Sequence, residues 1–195
     1  MILSDIDIKQ AIKAKEIIID PLPDETQYGS SSLNLIVGNE FKKWNPALLG
    51  SGGTKPSHQI LINFMDFNYS TFSKNYLIDV PLESDGSIIL APNDFMLILS
   101  REYVELPREG LLAARVEGRS TMARLGFTAH LSAPTIHAGF GGNITLEVKN
   151  FGPFHIKLTP GKDQICQLIF EKVQSIAEKT NSTIFQGQKS VTGTK

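Results

Sequence analysis

Ser87-Ile88-Ile89-Leu90, then Pro92-Asn93-Asp94, then Phe95-Met96-Leu97-Ile98-Leu99 sets the fold class of this chain. Two β-rich runs flank a cluster of turn residues. Proline has no amide to give a strand ladder, and Asn and Asp bond their own backbone in turns. The same punctuation continues in both directions. Upstream, Leu33, Leu35 and Val37 alternate until Gly38-Asn39 closes the run, and Leu61-Ile62-Asn63-Phe64 and Tyr76-Leu77-Ile78 are further short runs. Downstream, Ile144, Leu146 and Val148 alternate, Ile156 and Leu158 precede Thr159-Pro160-Gly161, and Ile165 to Phe170 follow. Short strands at roughly 8–12-residue spacing with turn signals between them predict a mainly β sandwich or barrel.

One helix stands out. Ser4 with Asp7 three residues on reads as a variant capping box, and Ile8, Ala11, Ile12 and Lys15 follow at helical spacing, so a short amphipathic helix is expected over about residues 5–15. Pro21 and Pro23 end the next segment. Residues 46–58, with Gly50-Ser51-Gly52-Gly53-Thr54, read as a loop or insertion. The polar tail with Gln186-Gly187-Gln188-Lys189-Ser190 reads either as a free end or as a lid that orders over a ligand. We therefore expect one β domain over residues 1–178 and a flexible C-terminal tail over 179–195.

Composition narrows the function classes. The chain has 195 residues, enough for one real core, with 41% hydrophobic and 20% charged residues. A net charge of −1 gives no global basic field for nucleic acid, so a polyanion would need a local cluster. One cysteine, Cys166, permits neither an internal disulfide framework nor a multi-cysteine metal site. No apolar run approaches the roughly 20 residues of a membrane span, and Met1-Ile2-Leu3-Ser4-Asp5 has no signal-peptide character. A cytoplasmic protein without nucleic-acid or membrane partners is the expectation.

Val116-Glu117-Gly118-Arg119-Ser120-Thr121-Met122-Ala123-Arg124-Leu125-Gly126 concentrates the chemistry. Guanidinium forks grip phosphate oxygens bidentately, and hydroxyls with free backbone N–H groups at a turn into a helix fill the remaining acceptor sites. Ser120 falls near the N-cap of a short helix, and Arg124, four residues later, shares its face. The segment equally fits a capped helix with a surface arginine. It is not a Walker loop, since Gly-x-x-x-x-Gly-Lys is absent. Glu147, in Ile144-Thr145-Leu146-Glu147-Val148-Lys149, sits on the strand face opposite the apolar set. It is a solvated strand residue unless that face borders a pocket or a subunit, where desolvation would make the carboxylate a stronger base. Ala133-Pro134-Thr135-Ile136-His137-Ala138-Gly139-Phe140-Gly141-Gly142 is a hairpin entry whose Phe140 either packs in the turn or stacks on a ligand. The four histidines, His58, His130, His137 and His155, show no metal-ligand spacing, and zinc-dependent base deamination needs cysteines this chain lacks.

In order along the chain, these motifs resemble the deoxycytidine triphosphate (dCTP) deaminase family of the trimeric dUTPase-like superfamily. Met1–Asp5, Ser31-Ser32-Leu33-Asn34-Leu35 to Phe41, Gly118–Gly126, Gly139-Phe140 to Glu147, Pro160-Gly161 to Glu171 and Gln186-Gly187-Gln188 carry the resemblance. It implies a distorted, jelly-roll-like β-barrel of the dUTPase type, assembled as a homotrimer with active sites between subunits. It also implies deamination of dCTP to dUTP and ammonia without zinc, the nucleotide binding as its magnesium salt. By position, Glu147 would be the general base that activates water for attack on C4 of cytosine. Ser120 and Arg124 would hold that water and the tetrahedral intermediate, and the Ala133 carbonyl would accept from the leaving amino group. Arg119, Thr121, Thr135 and Gln188 would contact the nucleotide, with Phe140 beside the sugar. Three positions depart from the family pattern. Asn34 and His137 stand where an aspartate is usual, and Thr183-Ile184-Phe185 where a basic residue and a tyrosine are common. His137 replaces the carboxylate that activates water in dUTPases, which implies a deaminase rather than an enzyme that also cleaves dUTP. The contrasting alternatives are a bifunctional deaminase and dUTP diphosphatase, and a non-catalytic nucleotide sensor. Joint retention of Ser120, Arg124 and Glu147 speaks against the sensor.

Overall fold

Why these residues form these elements is clearest at the first helix. The computed structural model describes residues 1–45, 47, 60–179 and 183–193. Ser4 Oγ accepts from the Asp7 amide at 3.3 Å and the Asp7 carboxylate accepts from the Ser4 amide at 3.1 Å, so the capping box forms and α1 runs Asp5–Lys13. It ends two residues before the expected boundary because Lys15 takes a left-handed φ of 61°. Ile8 and Ala11 are the side chains α1 buries.

The strands are β1 (Ile18–Asp20), β2 (Tyr28–Gly29), β3 (Ser32–Trp44), β4 (Leu77–Asp79), β5 (Ile88–Leu90) and β6 (Phe95–Glu105) in the first half. The second half adds β7 (Leu112–Gly118), β8 (Phe127–Thr128), β9 (Thr135–Ile136), β10 (Gly141–Asn150), β11 (Ile156–Leu158) and β12 (Gln164–Lys172). Two more α-helices, α2 (Tyr69–Tyr76) and α3 (Ser120–Arg124), and short 3-10 helices at Glu25–Gln27 and Arg108–Gly110 complete the described elements. One curled sheet runs β8-β10-β6-β3-β12-β7-β9, with β1 added on β6 and β2 and β4 on β3. A second sheet pairs β11 with β5. The mainly β, barrel-like architecture expected from the turn spacing is the one observed.

β3 is the bend that curls the sheet. Its start pairs with β12, Leu33 opposite Leu168, and its middle pairs with β6, Phe41 opposite Ile98. Gly38-Asn39 was expected to close this strand, yet β3 continues to Trp44 through a register shift between Val37 and Phe41. A Cβ on Gly38 would lie 2.5 Å from the Leu99 carbonyl oxygen, so glycine marks a bulge with close backbone approach rather than an end.

Two expectations for the middle of the chain change. Leu61–Phe64 forms no strand, and the following segment is the helix α2. Asn68 caps it by accepting from the Thr71 amide at 2.9 Å. Phe72 and Tyr76, one turn apart, stack with ring centroids 4.6 Å apart, and Phe72 meets Trp44 at 5.5 Å. Aromatic content reads as β-prone, but the four-residue spacing lets the rings share one helical face. The expected 46–58 loop lies almost wholly outside the described residues.

The main core is an apolar cluster from Leu3 to Phe170, and Leu97, Leu99 and Val191 form a second, small cluster. Among the described residues, one charged side chain is fully buried. Glu102 is 0% exposed, accepting from the Ile36 amide at 2.9 Å, Gln27 Nε2 at 3.0 Å and Arg101 Nη2 at 2.8 Å. Glu102→Ala leaves the Ile36 amide without an acceptor, while Gln27 Nε2 keeps the Asn34 carbonyl and Arg101 Nη2 keeps Gln27 Oε1, and is expected to cost about 1–3 kcal/mol. Urea unfolding measures this, and a midpoint matching the wild type would show that the network carries no stability. Among the described residues, no helix is long and apolar enough to cross a membrane.

Candidate active site

β10 builds the centre of the site. Its burial alternates, so Ile144, Leu146 and Val148 enter the core while Thr145, Glu147 and Lys149 take the other face. That face is not open solvent. Thr145 and Glu147 line a cavity of about 380 Å³ with Ala133, Phe140, Phe95, Leu97, Trp44, Tyr69 and the tail residues Phe185, Gln188 and Val191. Glu147 is half-buried, and its Oε2 accepts from the Leu131 amide at 3.4 Å. The condition under which Glu147 was more than a solvated strand residue is met.

The tail closes one side of this cavity. Residues 183–193 pack on the barrel: Gln188 is 4% exposed, Val191 0%, and Gln188 forms a parallel bridge with Gly142. The Asn143 amide donates to the Gln188 carbonyl at 2.9 Å and Gln188 Nε2 donates to the Asn143 carbonyl at 2.7 Å. Gly142, with φ 155°, makes this contact possible, because a Cβ there would sit 3.1 Å from the Gln188 amide nitrogen. Thr145 Oγ1 and Gln188 Oε1 are buried with no hydrogen-bond partner in the chain, and both residues line the cavity. Orphaned buried polar atoms are costly, so two in one cavity mark a site shaped for a polar ligand.

Tyr69 enters from α2. Its hydroxyl donates to the Val191 carbonyl at 3.0 Å, and its ring meets Phe185 edge-on at 5.6 Å between centroids. Burial first, then the charges of Glu147 and Glu40, push the phenol up to about 12, so it stays a donor.

The Gly118–Gly126 segment lies elsewhere on the chain. α3 begins at Ser120 with Arg119 at the cap position and no side-chain capping bond, so the expected serine cap does not form. Ser120, Thr121 and Arg124 are exposed. Arg119 is half-buried, its Nη1 donating to the Gln164 carbonyl at 2.8 Å. Thr135, on β9, is exposed. None of these five lines the Glu147 cavity. Within one chain the structure therefore gathers Glu147, Ala133, Phe140 and Gln188, and leaves Arg119, Ser120, Thr121, Arg124 and Thr135 outside. Sequence reasoning missed Trp44, Tyr69, Phe95, Leu97, Phe185 and Val191. One signal was available: Phe95–Leu99 is apolar without alternation, as a strand buried on both faces must be. Met96 and Ile98 belong to the main core, whereas Leu97 and Leu99 pack with Val191 of the tail.

A carboxylate beside orphaned polar groups, in a cavity roofed by the C-terminal tail of a curled β-barrel, defines a candidate small-molecule site. Comparison with known proteins gives the family. Residues 2–173 match the family model described as dCTP deaminase-like, and the chain belongs to that family. A protein of Methanosphaera stadtmanae named "dCTP deaminase, dUMP-forming" is 39% identical over 178 residues, 91% of this chain and 82% of that protein. A protein of Persephonella marina with the same name is 35% identical over 195 residues, 100% of this chain and 97% of that protein. Among solved structures, the 2'-deoxycytidine 5'-triphosphate deaminase of Agrobacterium tumefaciens aligns with a TM-score of 0.63 at 19% identity. That alignment covers 88% of this chain and 48% of that one, so this chain spans about half its length, and the likeness is one of fold. The names of the two relatives give dUMP as product, which is at odds with the expectation of dUTP.

Proposed function

We propose that this protein deaminates dCTP and carries the product on to dUMP, releasing ammonia and pyrophosphate. The observation that carries the reading is Glu147 lining a cavity beside Thr145 and Gln188 in a chain of the dCTP deaminase-like family. Glu147 takes a proton from water, the resulting hydroxide adds to C4 of cytosine, and the proton passes through the carboxyl group to N3. The tetrahedral carbon then expels the amino group as ammonia as the proton of the new C4 hydroxyl is passed to it, leaving the C4 carbonyl of uracil. The Ala133 carbonyl accepts from the departing amino group, and Gln188 and Phe140 hold the nucleotide. Hydrolysis of the triphosphate with one further water gives dUMP and pyrophosphate, the product named for the relatives.

Ser120 and Arg124 complete the site from a neighbouring copy in a homotrimer, where they hold the water and stabilise the developing oxyanion. Arg119 and Thr121 meet the phosphates, and Thr135 the nucleotide. Two features support this assembly. The residues needed for chemistry are exposed in one chain, and apolar Leu125, Leu131 and Phe151 beside α3 and Glu147 are 46%, 50% and 65% exposed. The reaction is zinc-independent on this reading, which the single cysteine supports. Magnesium would bind through the nucleotide's own phosphate oxygens.

A second reading, release of dUTP without further cleavage, is favoured by one observation: His137, exposed in the hairpin, stands where the family resemblance places a carboxylate. Incubation with dCTP and magnesium, with nucleotides separated by anion-exchange chromatography, tests both. dUMP with pyrophosphate is the expected outcome; dUTP accumulating without dUMP supports the second reading, and unchanged dCTP overturns both.

A further inference from the structure

Trp44 and Tyr69 lie outside every motif that carries the family resemblance, yet both line the Glu147 cavity. Tyr69 stands at the junction of three parts. It belongs to α2, it borders the cavity, and it holds the tail at two points, by its hydroxyl on the Val191 carbonyl at 3.0 Å and by its ring on Phe185 at 5.6 Å. Val191 is fully buried, and Ser190 beside it donates to Glu40 at 2.7 Å, so the tail is fixed on both sides of Lys189 by contacts remote in sequence. Phe185 is one end of this clamp, Gln188 lies between its ends, and both form cavity wall.

We propose that Tyr69 is a positioning residue for the deamination proposed above: it clamps the C-terminal tail so that Phe185 and Gln188 wall the nucleotide cavity before ligand arrives. The role rests on the deaminase reading. Its kinetic signature follows from population arithmetic, since apparent affinity falls by the fraction of molecules whose tail is seated, while bound substrate draws the tail back and leaves the saturated rate little changed. Tyr69→Phe keeps the ring on Phe185 and loses only the hydroxyl bond, so it separates the two contacts.

The experiment compares wild type, Tyr69→Phe and Tyr69→Ala for dCTP turnover, tryptic cleavage after the exposed Lys189, and thermal melting. Tyr69→Ala is expected to raise KM about tenfold with kcat within about twofold, and Tyr69→Phe to raise KM about threefold, one contact of modest strength being lost in the latter. Cleavage after Lys189 should accelerate in the same order, with the melting transition of the barrel retained. Turnover by the wild type with KM unchanged in Tyr69→Ala overturns the positioning role alone, as does cleavage no faster than wild type. A fall in kcat at unchanged KM also overturns it, because the group would then act in the chemical step. A wild type that consumes no dCTP overturns the deaminase reading and the positioning role with it.

Discussion

Glu147→Gln is expected to fold and assemble like the wild type and to release ammonia from dCTP about 10²–10⁴-fold more slowly. The amide is isosteric with the carboxylate and can still accept from the Leu131 amide, which lies 3.4 Å from Glu147 Oε2 in the wild type. What it loses is the capacity to take a proton from water and return it to the ring. Thr145 and Gln188 cannot compensate, since neither a hydroxyl nor an amide is basic near neutral pH. Binding of dCTP should be retained, because the cavity keeps its shape. Steady-state ammonia release paired with calorimetric dCTP binding measures both quantities, and turnover near the wild-type rate would remove Glu147 from the chemistry.

Arg124→Ala is expected to lower turnover about 10²–10³-fold, the range for removing one preorganised donor from a developing oxyanion. The reason that its effect is informative is its location. Arg124 and Ser120 are exposed on α3, outside the cavity that holds Glu147. If the site is composite, mixed oligomers of Arg124→Ala and Glu147→Gln contain sites with Glu147 from one copy and Arg124 from another. Those sites are intact. Co-refolded mixtures of the two inactive variants should therefore regain activity that neither parent shows. Mixed oligomers as inactive as their parents would mean that one chain must supply both residues.

Sequence periodicity exposed most of the frame and only part of the site. Turn chemistry around Pro92-Asn93-Asp94 marked the strands on either side because proline and side-chain-bonding residues act locally. The alternation in β10 located Glu147 on the face that lines the cavity, since the period of two is a property of the strand itself. Gly38 misled because a glycine before a bulge and a glycine at a strand end look alike in one dimension. Only the Leu99 carbonyl against it, contributed from β6, distinguishes them. β7 was passed over although Leu112, Ala114 and Val116 alternate, since small alanines weaken an apolar signal that packing nonetheless satisfies. Trp44, Tyr69 and Val191 reach the site from distant segments, and no local pattern announces such a convergence. The separation of Ser120 and Arg124 from Glu147 is likewise invisible to spacing: motifs report which groups exist, and the fold reports which of them meet.

Loss of ammonia from C4 of dCTP is the defining step of the proposed reaction. The direct measurement is ammonia released per dCTP consumed by the wild-type protein with magnesium present. One ammonia for each dCTP, with the 260-to-290 nm absorbance change of cytosine becoming uracil, is the expected result. Pyrophosphate released from dCTP with no ammonia, leaving dCMP, would contradict it.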